Sequence, residues 1–447
     1  MSADLPVASP AFVQQELPVL ASVTFSFDHT DPSFVLDALR HRALVWTRQG
    51  DGLVGLGAVA RLHTQGAERF ADARQWFTDL VQRATVIDPI NQPGSGPVAF
   101  GAFAFSYTSN YRSRLVIPEV VLGKDGALSW ITITSDTVDT EQLTYDYALA
   151  RCQELLDEAA YAGAPHGTIS LQPGDLTAGS YLKAVTQALK VLEGDEISKL
   201  VLSRDVIAHS SGGIDLAQVV RELVGGYDNC WTYSVDGLVG ATPEMLVRVT
   251  NGTAEARVLA GTLDRATAPV GEAGYPQRVL LGDPKQRVEH QLAIDSLTLA
   301  LDPISHGMQA PEEPFILELP NVWHLASDVS AELRPGSDGR FPTALDIAEI
   351  FHPTAAVCGT PTKLAGKVLR ELEGLDRGPY AGPVGWIDSR GDGEFGIALR
   401  GGVLEDESNM RLYAGCGIVT GSDPESELAE SWAKMRPMLQ ALHAERQ

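Results

Sequence analysis

Short apolar runs broken by glycine and Asp-Gly pairs fill residues 21–150: ALVWTRQGDGLVGLGAVARL, GPVAFGAFAFSY and LVIPEVVLGKDGALSWITIT. Runs of this length, rich in β-branched and aromatic residues, predict strands. Asp51-Gly52 and Asp125-Gly126 each fall between two such runs and predict antiparallel hairpin turns. Between them, AERFADARQWFTDLVQRA changes to the period of an amphipathic helix. The alternation recurs downstream. DLTAGSYLKAVTQALKVLEG (175–194) predicts a helix, and KLVLSRDVIAH, CWTYSVDGLVGATP and MLVRVTNGTAEARVLAG predict strands. GDPKQRVEHQLAIDSLTLALD predicts a long helix with Asp283 as N-cap and Pro284 at its first position. AGPVGWIDSRGDGEFGIALRGGVLEDESNMRLYAGCGIV predicts a β-meander, in which Arg-Gly-Asp is a turn, and a closing helix spans about 424 to 443. Glycine-bounded hairpins mixed with long helices predict an α+β fold, with two extended antiparallel β-sheets packed around helices. The chain, 1–447, is expected to form one unit whose first 20 or so residues are a loose leader.

Charge narrows the function. The formal net charge is −24 over 447 residues. Such a surface repels nucleic acid and anionic lipid at long range, so a small anionic ligand would need local cations or a metal. Cys152, Cys230, Cys358 and Cys416 are scattered, which predicts neither structural zinc nor a disulfide scaffold and fits a reducing cytoplasm. The first thirty residues hold Asp4, Glu16 and Asp28 and lack the basic and apolar regions of a signal peptide. No run of eighteen apolar residues is present, so no spanning helix is expected.

Candidate chemistry clusters late in the chain. GCGIVTG (415–421) lacks the Rossmann spacing, yet a helix N-terminus after glycines is an anion cradle. Glu427 and Glu430, spaced i, i+3, share one face of the helix that follows. Either they are a solvated acidic face or, with Glu289 from the middle of the earlier helix, they form an oxygen-ligand set suited to Mg²⁺. His290 faces away from Glu289 and makes no chelating pair with it. Lys199 enters a strand. There it is an edge gatekeeper or, if buried, a base whose neutral form desolvation favours. Glu244, after Pro243, is a turn carboxylate or, if buried, a general acid. His324 reads first as a packed core histidine.

The segments SKLVLSRDV, GATPEML, LAGT (259–262), KQRVEHQL, VWHLAS, HPTAAVCGTP (352–361), RGPYAGPVGW (377–386), IALRGG (397–402) and LYAGCGIVTGSDPESELAES resemble the chorismate-utilising enzymes. That family includes isochorismate synthase, salicylate synthase and anthranilate synthase component I. The resemblance spans about 175 to 443 in the family's order, which marks 175–443 as the chorismate-binding catalytic core and 1–150 as a divergent N-terminal part. It implies Mg²⁺ on Glu289 and Glu430, with Glu427 beside them. It places Gly415 and Gly417 where their N–H groups meet the substrate's carboxylate. Arg400 would grip the enolpyruvyl carboxylate, supported by Tyr380, while Lys434 adds positive charge one turn after Glu430. Gly261, Thr262 and His324 would line the pocket.

Within the family, members that add water to ring carbon C2 carry a lysine at the Lys199 position. Members that aminate C4 through a covalent lysine carry it where this chain has Ala260. The resemblance is nearest to isochorismate synthase, in which Lys199 takes a proton from water and Glu244 donates one to the departing C4 hydroxyl. Salicylate synthase is the alternative. An anthranilate synthase component I-like protein or a non-catalytic anion-binding relative is a further one. Isochorismate could feed menaquinone, siderophore or salicylate biosynthesis. A cytoplasmic monomer without an obligatory glutaminase partner is expected. Gln286 departs from relatives that are acidic three residues before the Glu289 position.

Overall fold

The computed structural model describes residues 17–27, 44–158, 167–269, 272 and 274–444, save the side chains of Glu158, Thr267, Lys285 and Glu289. Most of the expected leader therefore lies outside the described residues. Leu20 is already buried, and strand Ala21–Ser26 follows it directly. Among the described residues the α-helices are α1 (Arg69–Arg83), α2 (Tyr145–Glu158), α3 (Ala178–Leu192), α4 (Leu216–Gly226), α5 (Pro284–Leu301), α6 (Ala344–Phe351), α7 (Thr362–Glu373) and α8 (Pro424–Ala441). Several caps follow from the sequence. Thr177 accepts from the Ser180 N–H to start α3, Asp423 accepts from the Ser426 N–H to start α8, and α5 begins at Pro284 directly after Asp283.

Among the described residues the strands form one sheet of 13 and one of 10. Every pairing is antiparallel except that of Ala21–Ser26 with Thr85–Ile87. Strands from the first 135 residues extend both sheets. Leu44–Arg48 pairs with Trp231–Val235 in the larger sheet, and Val98–Ala102 pairs with strand Pro383–Asp388 in the smaller. The two sheets face each other through a shared aromatic core. Trp46, Trp130 and Tyr233 on one sheet pack against Phe100, Val384 and Trp386 on the other. Residues of the opposite parity pack outward: Val247, Val258 and Phe395 meet α1, α5 and α6, while Val45, Val54 and Leu122 join a cluster with α2, α4 and α8. Period-2 alternation with both faces buried explains why these strands read as apolar runs.

The strands that carry the site are β1 (Lys199–Ser210), β2 (Leu238–Thr242), β3 (Met245–Thr250), β4 (Thr253–Asp264), β5 (Val322–Leu333), β6 (Pro383–Asp388), β7 (Gly393–Ile397), β8 (Gly401–Leu404) and β9 (Asn409–Ile418). Two expectations need correction. The first hairpin turns at Gln49-Gly50, both with positive φ (53° and 82°), and Asp51-Gly52 instead open the next strand. The C-terminal segment is not one meander. β6 and β7 belong to the smaller sheet and β8 and β9 to the larger, so the chain changes sheets at residues 398–400. It makes the same change between β2 and β3, at Pro243-Glu244. The Arg-Gly-Asp tripeptide does sit in the turn between β6 and β7.

Candidate active site

Glu244 and Arg400 stand at these two changes of sheet. The crossings are bonded to each other: Ile397 N–H donates to the Glu244 carbonyl (3.1 Å), and Ala241 N–H donates to the Arg400 carbonyl (3.4 Å). Both side chains line one cavity between the sheets, together with Gly261, Thr262, His324, Tyr380, Gly415, Gly417 and Lys434. The structure therefore brings together nine of the thirteen expected residues, from seven separate segments.

Lys199 is 1% exposed, which removes the edge-gatekeeper alternative. On a strand its side chain shares the face of Val201 and Ser203, and both of these line the cavity. The Glu244 side chain is also buried. Burial raises its carboxyl to about 7, against the opposing pull of the Leu259 N–H and the charges of Lys199, Arg400 and Lys434. It is thus a proton carrier poised near neutrality, placed within the field of a buried lysine.

A bulge in β4 shapes the opposite wall. Its register with β5 slips between Ala260 and Thr262, where Gly261 adopts φ +83°. A side chain there would be strained, and its Cβ would meet Gln286 Oε1 at 2.8 Å. The bulge leaves the Thr262 N–H to donate to Gln286 Oε1 (3.2 Å) and turns the Gly261 carbonyl toward His324 Nδ1 (3.2 Å). The Arg400 guanidinium donates to His324 Nε2 at 2.9 Å, so Nε2 accepts and Nδ1 carries the proton. Burial, then the Arg400 and Lys434 charges, hold this imidazole well below the ordinary histidine range and therefore neutral. His324 is buried, as expected of a core histidine, but it lines the cavity and orients Arg400. His290, next to Glu289 in the sequence, bonds through Nε2 to Ser327 Oγ at 2.9 Å.

Gly415 and Gly417 lie within strand β9, not in a turn. Val201 N–H donates to the Cys358 carbonyl (2.9 Å) and Ser203 N–H to Glu373 Oε1 (2.8 Å), so β1 turns these groups away from β9. Their antiparallel partners Gly417 and Gly415 must then direct their own N–H groups away from β1. The β8–β9 ladder stops at Leu412, leaving that side of β9 to the cavity. Lys434 Nζ reaches the Gly415 carbonyl there at 2.9 Å and pairs with Glu430 at 2.7 Å. Burial pulls the Lys434 ammonium down, but the Glu430 carboxylate outweighs it and holds its pKa above the ordinary lysine value. Tyr380 stacks on Tyr413 with ring centroids 5.2 Å apart, and burial raises its hydroxyl to about 12. A Cβ on Gly415 would come within 3.2 Å of that hydroxyl.

Glu427, Glu430 and Cys416 each offer a ligand atom within 4.8 Å of the others. Burial, and the two carboxylates, hold the Cys416 thiol well above its ordinary value although Lys434 opposes them, and its Sγ sits 3.3 Å from the Glu427 carbonyl. A protonated thiol is a poor ligand, so the donor set reduces to two carboxylates, which suits a hard, oxygen-preferring ion such as Mg²⁺. The Glu289 side chain lies outside the described residues. Its helix α5 does reach the site, since Gln286, three residues earlier, binds the Thr262 N–H.

Sequence reasoning missed one buried pair. Arg377 and Glu373 are each 3% exposed at the side chain and bonded to one another, with Arg377 Nε on Glu373 Oε2 at 3.0 Å. Arg377 also donates to the Val357 carbonyl (2.8 Å), stacks over Phe105 at 4.3 Å and lines the cavity. The i, i+4 spacing at the end of α7 was the available signal. With Lys199, Arg400 and Lys434 it supplies the local cations that a small anion needs on a chain of charge −24.

Residues 8–443 match the family model described as "Chorismate binding enzyme". Isochorismate synthase MenF of Bacillus subtilis (strain 168) is 28% identical over 420 residues, covering 88% of this chain and 86% of that one. Isochorismate synthase DhbC of the same organism is 37% identical over 273 residues, 59% of this chain and 67% of that one. The fold is shared with MenF, the menaquinone-specific isochorismate synthase from Escherichia coli, at a TM-score of 0.75 and 22% identity over 96% of each chain. The chain belongs to the chorismate-binding enzymes, and isochorismate synthases are among its relatives there.

Proposed function

We propose that this protein is an isochorismate synthase: it isomerises chorismate to isochorismate by adding water at C2 and expelling the C4 hydroxyl, and residues 1–447 act as one catalytic unit. The observation that carries the reading is Glu244, a carboxyl raised to about 7 by burial in the cavity toward which strand parity directs Lys199. A water addition coupled to loss of hydroxide needs one base and one acid on the same ring, and this pair offers both.

Arg400, held by neutral His324, presents its guanidinium to the enolpyruvyl carboxylate, with Tyr380 beside it. Gly415 and Gly417 present N–H groups, and Lys434 a charge, to the ring carboxylate. Glu427 and Glu430, with Glu289 from α5, would hold Mg²⁺, which when bound supplies positive charge opposite that carboxylate. The Lys199 amine accepts a proton from water as its oxygen bonds to C2. The two ring double bonds shift, the C4–O bond breaks, and Glu244 donates its proton so that the hydroxyl leaves as water. Lys199 ends protonated and Glu244 ionised, and one proton exchange with solvent resets both.

Incubating the protein with chorismate, with and without Mg²⁺, and separating the products tests this. Isochorismate formed in the presence of Mg²⁺ is expected. Salicylate with pyruvate would move the chain to the salicylate synthases. No turnover, with or without ammonia, would leave it a non-catalytic anion binder.

A further inference from the structure

Behind the Arg377–Glu373 pair lies a second cavity of about 790 Å³. Arg377 lines both cavities. We propose that this second cavity is an effector site for a small aromatic polyanion.

Its charge is unbalanced in one direction. Arg69 is 7% exposed, and its guanidinium donates to two carbonyls, Ala104 (3.2 Å) and Gly66 (3.2 Å), while lying over the Phe70 ring at 4.7 Å. Among the described residues no carboxylate forms an ion pair with it. Burial lowers its pKa, and the charge of Glu349 opposes this only through space, because that carboxylate is bonded to Arg74; a bound anion would relieve the remaining cost of the buried guanidinium. Lys363, Lys367 and Arg370, spaced i, i+4, i+7, put three more cations on the cavity face of α7, and none is in an ion pair among the described residues. The three carboxylates of the lining are engaged elsewhere. Glu349 binds Arg74 (2.8 Å), Glu373 binds Arg377, and Asp376 accepts from Ser109 Oγ (2.7 Å) and the Asn110 N–H (2.8 Å). The remaining walls include the rings of Phe105 and Tyr107, the latter 55% exposed. The volume is that of an ordinary small-molecule site, and cations facing aromatic walls select an anion with a flat apolar body.

Occupancy has a short route to the first cavity. Glu373 accepts the Ser203 N–H, and Arg377 holds the Val201 and Val357 carbonyls. Val201, Ser203 and Val357 all line the first cavity, and Lys199 lies two residues before Val201 on β1. An anion drawing on Arg377 from behind would shift the strand that carries Lys199.

The test is calorimetric titration at low ionic strength with benzene-1,3-disulfonate, a weak Mg²⁺ chelator. Wild type is compared with a K363Q/K367Q/R370Q variant, whose changes lie on an exposed helix face. Saturable binding to wild type, weakened roughly tenfold or more in the variant, is expected. Saturating probe should also change kcat or KM for chorismate in wild type and leave the variant's unchanged at the same concentration. The binding arm needs no turnover, so it stays readable if the isochorismate reading fails. Absence of binding, equal affinity in both proteins, or simple competition with chorismate in both would overturn the site. Binding without any change in kcat or KM would overturn its effector role.

Discussion

Glu244→Gln replaces a buried proton donor by an amide of nearly the same shape, and two magnitudes follow. The first is kinetic. Loss of one general acid costs roughly 10²–10⁴-fold in rate, about 3–5 kcal/mol on the barrier. The second is thermodynamic. The folded carboxyl titrates at about 7, against an ordinary value of 4.5. Between those values the folded protein keeps a proton that the unfolded chain has released, so stability falls as pH rises across the window. The contribution is complete below 4.5, lost above about 7, and worth about 3 kcal/mol. Glutamine does not titrate, so the variant should lack this slope. In wild type, kcat/KM should decline as pH rises through about 7, because the donor is then ionised. Denaturant unfolding of both proteins at several pH values, alongside isochorismate formation by chromatography, reads both effects. Variant turnover within tenfold of wild type, or parallel stability–pH curves, would refute the assignment.

Three further outcomes are expected. Lys199→Ala should lower isochorismate formation by roughly 10²–10⁴-fold with the circular dichroism unchanged, and turnover within tenfold of wild type would remove Lys199 as the base. Glu427→Gln and Glu430→Gln should each raise the Mg²⁺ concentration for half-maximal rate by about tenfold or more; an unaltered Mg²⁺ dependence would take both carboxylates out of the metal site. Arg377→Met strands Glu373 without its partner and should destabilise the fold by about 3–5 kcal/mol in denaturant unfolding, with much of that recovered in Arg377→Met/Glu373→Met. No recovery in the double variant would mean that Arg377 acts through its carbonyl bonds rather than through the ion pair.

The candidate site was legible because its residues sit in short motifs with strong local constraints. Gly261 is required by a bulge with positive φ, Glu244 follows a proline at a strand junction, and Asp423 caps the helix that carries Glu427 and Glu430. Their convergence was not legible from pattern alone, because apolar alternation does not record which of two sheets a strand joins. That is why the segment from 381 to 419 read as one meander although the chain leaves one sheet for the other at Arg400. The first hairpin was misplaced by two residues because Gln49-Gly50 and Asp51-Gly52 are adjacent, and the Asp-Gly preference pointed to the wrong one. Residue type left Lys199 open as an edge gatekeeper or a buried base, and pattern does not record that its strand runs beneath α7 and beside β9. The Arg377–Glu373 pair escaped notice because an i, i+4 pair is ordinarily a surface feature, and burial alone distinguishes this one.

The most direct test of the central claim, that Lys199 and Glu244 exchange one oxygen for another on the ring, is to run the earliest turnovers in H₂¹⁸O and weigh the product. Isochorismate carrying one ¹⁸O atom in its newly formed hydroxyl is expected, while the remaining chorismate stays unlabelled. Unlabelled isochorismate would mean that the original hydroxyl migrates, and would contradict the assignment of a water-activating base and a hydroxyl-expelling acid.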